Sequence, residues 1–169
     1  MKTFLIFRHA KSSWSSASVA DFDRPLNKRG ERDAPLMGAW LKQQRCVPEL
    51  ILSSNARRAQ STIKAAAEAM GYNGDIGFTR AFYLAHPSVY IETAAQVSNE
   101  ITCLMVVGHN SGLEELILEL TDEYEVMPTG AIAHLTLPID DWADFSAETP
   151  ATLHAVWRPR ELPASHSPN

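Results

Sequence analysis

Short apolar runs alternate with longer amphipathic stretches along the chain. The run over 3–7 (Phe4, Leu5, Ile6, Phe7) predicts a buried strand. A polar, serine-rich stretch over 8–23 follows, with Pro25 just after it. A loop of that length in a compact domain tends to carry function. Asn27 is placed to cap a helix reaching about Gln44, with Met37, Leu41 and Gln44 on one face and Trp40 beside them. Pro35 inside this helix predicts either a kink or a restart capped by Asp33. A second strand is expected at 50–53. The helix after it, capped by Ser54 or Asn55, turns Ile63, Ala66, Ala67 and Met70 inward and ends at Gly71. A weak strand over 75–79 and a helix over 88–97, preceded by Pro87, come next. The run 101–107 is apolar throughout, as a central strand would be. A helix over 111–120 buries Leu113, Leu116, Ile117 and Leu120. Strands at 131–137 and 152–157 flank a polar linker, 138–150, in which the Trp142 region is expected to cover the sheet edge.

This order reads as α/β. It describes a single three-layer α/β/α domain over 1–158, with a mostly parallel central sheet, helices on both faces and a late antiparallel strand. The stretch 159–169, rich in Pro and Ser, is expected to be a frayed tail. In such sheets, sites lie at the carboxyl ends of strands.

Composition narrows the function classes. A chain of 169 residues suits one domain, and 45% hydrophobic content excludes wholesale disorder. No apolar run approaches the ~20 residues of a membrane helix. The net charge of −5, from 15 Lys and Arg against 20 Asp and Glu, argues against a general nucleic-acid binder. Two cysteines make no disulfide framework, and Cys103, inside an apolar run, is expected to be a buried free thiol. The first apolar run is too short for a signal-peptide core, so the cytoplasm is the expected compartment. No His, Cys, Asp or Glu spacing resembles a zinc site, and no metal or cofactor is expected. A monomer is the default.

Three segments that each follow a predicted strand carry the chemistry. They are Arg8-His9-Ala10-Lys11-Ser12, then Ser53-Ser54-Asn55-Ala56-Arg57-Arg58, then Gly108-His109-Asn110-Ser111. In a parallel sheet all three meet in one crevice. Two arginines offer planar forks for phosphate oxygens, two histidines offer a nucleophile and a donor, and helix starts add backbone N–H groups. Taken singly, each has a plainer reading. Arg58 could be a surface helix residue, as Arg57 is expected to be, and His109 a hydrogen-bonded core histidine. The joint placement favours a pocket for an isolated phosphoryl group. His134 and His154, on the late strands, are expected to pack or face solvent. His166 falls in the tail, and the acidic stretch 122–125 is expected to be a solvated loop.

These residues resemble the histidine phosphatase superfamily, the phosphoglycerate mutase-like fold. The carriers are Arg8-His9 with Lys11-Ser12, Asp23-Arg24-Pro25-Leu26 with Gly30, Ser53-Ser54 through Arg58-Ala59 and Thr62, and Val107-Gly108-His109-Asn110. The short chain and the wording around His9 look most like the small phosphohistidine phosphatases of the SixA type. The resemblance implies that His9 is the nucleophile that becomes phosphorylated and that Arg8, Arg58 and His109 hold the phosphoryl oxygens. Ser12 aligns with a substrate-contacting serine. Lys11 and Asn110 join it as expected substrate-binding residues. Ala10 replaces the glycine usual after the histidine, and Asn55 stands where many relatives have proline.

Larger relatives carry a general acid between the second arginine and the final histidine. Here Phe82, Tyr83, Leu84, Ala85 and His86 stand near that place, with no carboxylate among them. Asp21, Asp23, Tyr83 and His86 remain open as donors. A phosphohistidine substrate needs less help than an ester, so a protein phosphohistidine phosphatase is the favoured expectation. A phosphatase or mutase for small phosphate esters and a non-catalytic phosphate-binding adaptor are the alternatives. Whether the 138–150 linker covers the pocket is left to the structure.

Overall fold

The computed structural model describes residues 1–14 and 16–163. Its strands are β1 (Lys2–Arg8), β2 (Leu50–Ser54), β3 (Ile76–Thr79), β4 (Cys103–Gly108), β5 (Ile132–Leu137) and β6 (Thr152–Trp157). Its helices are α1 (Lys28–Gln43), α2 (Arg57–Met70), α3 (Pro87–Ala94) and α4 (Gly112–Thr121). The six strands form one sheet in the order β3-β2-β4-β1-β5-β6. β1, β2, β3 and β4 pair in parallel. β5 is antiparallel to both β1 and β6, so it alone is reversed.

Alternation along β1 divides the core. Leu5 and Phe7 pack with Met37, Leu41 and Ile63 of α1 and α2. Phe4 and Ile6 pack with Tyr90 and Ile91 of α3 and with Leu113 and Leu116 of α4. The central strands are buried on both faces, which is why they read as continuous apolar runs.

Several element boundaries differ from the expectation. Asn27 caps α1 by accepting from the Gly30 N–H, and α1 runs through Pro35 without a restart. Asp33 is therefore no cap; it is buried within the helix and faces Arg29 and Arg32. Neither Ser54 nor Asn55 caps α2, which starts after Ala56 with no side-chain cap; Gly71 ends it in the left-handed conformation. Pro87 is inside α3, where its missing N–H costs nothing. Cys103 is half-buried rather than buried, and both cysteines are free.

The linker after β5 lies far from the strand ends that matter. Trp142 is fully buried, and its Nε1–H donates to the Ile101 carbonyl at 2.7 Å. Lys2 sits over its ring, and Phe4 meets it edge-on. The linker thus closes the amino ends of β1 and β4, not the sheet edge. Pro159–Glu161 form a 3-10 turn, and Leu162 packs on the α1/α2 side of the core. The remainder of the expected tail, 164–169 with His166, lies outside the described residues. Among the described residues, no helix is long and apolar enough to cross a membrane.

Candidate active site

Strand register brings the three segments level. Arg8 lies opposite Gly108 across β1 and β4, and Ser53 lies opposite Val107 across β2 and β4. His9, Ser54 and His109 therefore emerge side by side at the carboxyl end of the sheet. The cavity there, about 320 Å³, is lined by Arg8, His9, Lys11, Ser12, Arg58, His109 and Asn110, all expected from the sequence. Trp14, Asp21, Arg24, Leu84 and Thr129 complete it.

His9 is held as a neutral base. Its Nδ1 lies 2.7 Å from the Ala10 carbonyl, which can only accept, so Nδ1 carries the proton. The lone pair is then on Nε2, which accepts from Arg58 Nε at 3.4 Å. Burial depresses the His9 pKa well below the imidazole range, and His109, Arg58 and Arg8 add to the depression. The Ala10 N–H donates to Thr62 Oγ1 at 2.9 Å, and Thr62 Oγ1 donates to the Arg58 carbonyl at 2.7 Å. One hydroxyl thus ties the backbone after His9 to the helix carrying Arg58. Gly30 lets α1 approach the same loop, since a Cβ there would lie 2.1 Å from the Lys11 carbonyl oxygen.

His109 is the second neutral imidazole, its ring centre 5.1 Å from that of His9. Burial, then the charge of Arg58, depress its pKa to about 3. Nε2 lies 2.8 Å from Ser54 Oγ, which also accepts from the Ala56 N–H. The other ring nitrogen of His109, Nδ1, is buried without a hydrogen-bond partner. Arg8 Nε is likewise buried and unpartnered, while Arg8 Nη1 donates to the Met127 carbonyl at 2.9 Å. Two buried nitrogens without partners thus belong to residues that line this cavity, beside the charge of Arg58.

Arg58 is buried, and each of its three nitrogens donates one hydrogen bond, which leaves one N–H on each Nη for a ligand. Nη1 donates to the Asp21 carbonyl at 2.6 Å and Nη2 to Asp21 Oδ2 at 3.1 Å. Tyr83 also donates its hydroxyl to Asp21 Oδ2, and Arg24 Nε donates to Oδ1 at 3.1 Å. Desolvation alone would raise the Asp21 pKa, but the Tyr83 hydrogen bond and Arg58 outweigh it and hold the carboxyl at about 2. Asp23 and His86 are exposed and do not line the cavity, so neither stands where a donor is needed.

The remaining expected residues divide. Ser12 is buried and accepts from Arg24 Nη1 at 2.7 Å. Lys11 lines the wall. Asn110 lines it too, but its amide N–H groups donate to Glu114 and to the Met127 carbonyl that Arg8 also uses. It positions Arg8's acceptor. Arg57 is exposed, and His134 stacks on Trp157, as expected of a packing residue. The acidic turn is largely exposed, with Glu125 paired to Arg158. Arg24, Trp14 and Thr129 were not singled out as site residues; the length of the loop after His9 was the signal that could have found the first two. Among the described residues, no group of three or more His, Cys, Asp or Glu side chains is placed to hold a metal ion.

Comparison with known proteins agrees with this geometry. Residues 4–79 match the model of the histidine phosphatase superfamily, branch 1. An uncharacterized protein of Mycobacterium tuberculosis is 34% identical over 148 residues, covering 81% of this chain and 90% of that protein. An uncharacterized chloroplastic protein of Arabidopsis thaliana is 36% identical over 124 residues, covering 68% of this chain; the match spans 56% of that relative's length. Among solved structures, a SixA protein from Agrobacterium tumefaciens superposes with a TM-score of 0.81 at 27% identity, over 94% of this chain and 98% of that one. The protein histidine phosphatase SixA complexed with tungstate gives a TM-score of 0.80 at 23% identity, over 94% and 97%.

Proposed function

We propose that this chain, which belongs to the histidine phosphatase superfamily, hydrolyses the phosphoryl group of a phosphohistidine carried by a protein. The observation that carries the reading is the fixed tautomer of His9: Nδ1–H on the Ala10 carbonyl and an unprotonated Nε2 at the cavity beside Arg58. In-line attack by Nε2 forms a P–N bond to His9 as the substrate's own P–N bond breaks. The departing imidazole leaves neutral when its other ring nitrogen is protonated. Water then attacks phosphorus, the bond to Nε2 breaks, and phosphate leaves. Arg8, Arg58 and His109 stabilise charge on the transferring oxygens.

The proton inventory supports this substrate class. Asp21, held at about 2, is a carboxylate at neutral pH and has no proton to give. Tyr83 holds its proton, because burial and its hydrogen bond to Asp21 raise its pKa, and it directs that proton to Asp21 Oδ2. An alkoxide leaving group would find no protonated carboxyl to serve as its general acid, a contribution of about 10²–10⁴ in rate. A protonated phosphoimidazole has no such need. The tungstate held by the SixA relative, a tetrahedral oxyanion, supports a phosphoryl site in this fold. The guanidinium charges serve where a metal ion otherwise would, so EDTA is expected to leave turnover unchanged.

Phosphate release from phosphohistidine and from an alkyl phosphate tests the reading. A rate ratio of about 10² or more in favour of phosphohistidine is expected. Comparable rates would move the assignment to an ester phosphatase.

A further inference from the structure

We propose that Trp14, seated on Arg24, selects the leaving group and that the group it selects is a planar ring. The proposal rests on the hydrolase reading only for what that ring belongs to.

Two large apolar side chains at the cavity face water: Trp14 is 72% exposed and Leu84 58%. Neither is needed for the core. Leu84 moreover sits at φ 51°, a backbone region that bulky residues seldom occupy and that tends to persist where function requires it. Trp14 does not project freely. The guanidinium carbon of Arg24 lies 3.4 Å from its ring centre, a close cation–π stack. Arg24 is itself buried and fixed, with Nη1 on Ser12 Oγ at 2.7 Å and Nε on Asp21 Oδ1 at 3.1 Å. One face of the indole is thus pinned to a rigid support. Its exposure leaves the other face open to a ligand.

The cavity has two chemistries. Arg8 and Arg58, with the neutral His109 beside them, make a cationic floor for the phosphoryl group. Trp14 and Leu84 add apolar wall to the same cavity. A planar group attached to phosphorus can stack on the open indole face while its phosphoryl group reaches the floor. The imidazole of phosphohistidine is such a group, as is a phenyl ring. A polyol leaving group would instead lose hydration against indole and leucine with no partner in return.

Binding of two inert ligands to the full chain tests this apart from turnover. Phenylphosphonate carries a ring and methylphosphonate does not. By calorimetry, the wild type is expected to bind phenylphosphonate about 3- to 10-fold more tightly. Trp14→Ala should bring that ratio to near unity while methylphosphonate affinity stays, which also shows the variant to be folded. Trp14→Phe should keep most of the preference. Equal affinities in the wild type, or a preference that survives Trp14→Ala, would overturn the assignment of Trp14 alone. Failure of the wild type to bind either ligand would overturn it together with the phosphoryl-site reading.

Discussion

Thr62→Val removes one oxygen and leaves the side-chain shape almost unchanged. Thr62 is fully buried, as is Ala10. Its hydroxyl accepts from the Ala10 N–H and donates to the Arg58 carbonyl. That carbonyl lies in the first turn of α2 and keeps its helical partner, so its loss is small. The Ala10 N–H loses its acceptor inside the protein. A buried donor left unpaired costs about 1–3 kcal/mol. A loss of about 2 kcal/mol would lower Tm by about 4–8 °C for a chain of this size. The same residue carries, in the next peptide unit, the carbonyl that fixes the tautomer of His9. If it turns to find a partner, Nε2 shifts, and kcat should fall about 10- to 100-fold. Thermal and urea unfolding, with kcat on phosphohistidine, measure both effects. Thr62→Ser keeps the hydroxyl and should recover most of each. A valine variant within about 1 °C of wild type and fully active would show that the hydroxyl does not couple the nucleophile loop to α2.

Other expectations follow from the same geometry. Both site imidazoles have folded pKa values below the unfolded value, so the unfolded chain takes up protons first as pH falls. Stability should therefore decline from about pH 6.5 downward, for His109 as far as about 3, and NMR should show neither ring titrating between pH 8 and 6. An imidazole of His9 or His109 titrating near 6.5 would contradict the buried neutral pair. Trp142→Ala should cost about 3–5 kcal/mol in urea unfolding. Because Trp142 caps the opposite end of the sheet, KM and kcat per folded molecule should not change. A large KM change would mean that the linker reaches the site after all.

The strands and the cationic floor were readable because each apolar run ends where its chemistry begins. Arg8-His9, Arg58 and Gly108-His109 needed only a parallel sheet to meet, and hydrophobic continuity over 101–107 pointed to one. The start of α2 is not legible in the sequence because the best capping side chain is used elsewhere: Ser54 Oγ lies between the Ala56 N–H and His109 Nε2. The end of α3 is hidden in the sequence because Val97 still packs, although the backbone has tightened into turns by Ala94. Arg24, Asp21 and Trp14 belong to a loop that folds back on the strand ends. Its contacts with Arg58 and Tyr83 join residues distant in sequence, and no local periodicity records such a return. The linker posed the same difficulty, since its polarity gave no hint that Trp142 turns inward.

The covalent role of His9 is the claim on which the rest depends. Rapid acid-free quenching of the enzyme with a radiolabelled phosphohistidine substrate, followed by peptide mapping, examines it directly. The account predicts a transient label on His9 that is lost in acid and stable in base, absent together with turnover in His9→Ala. Sustained turnover by His9→Ala, or a label on any other residue, would contradict it.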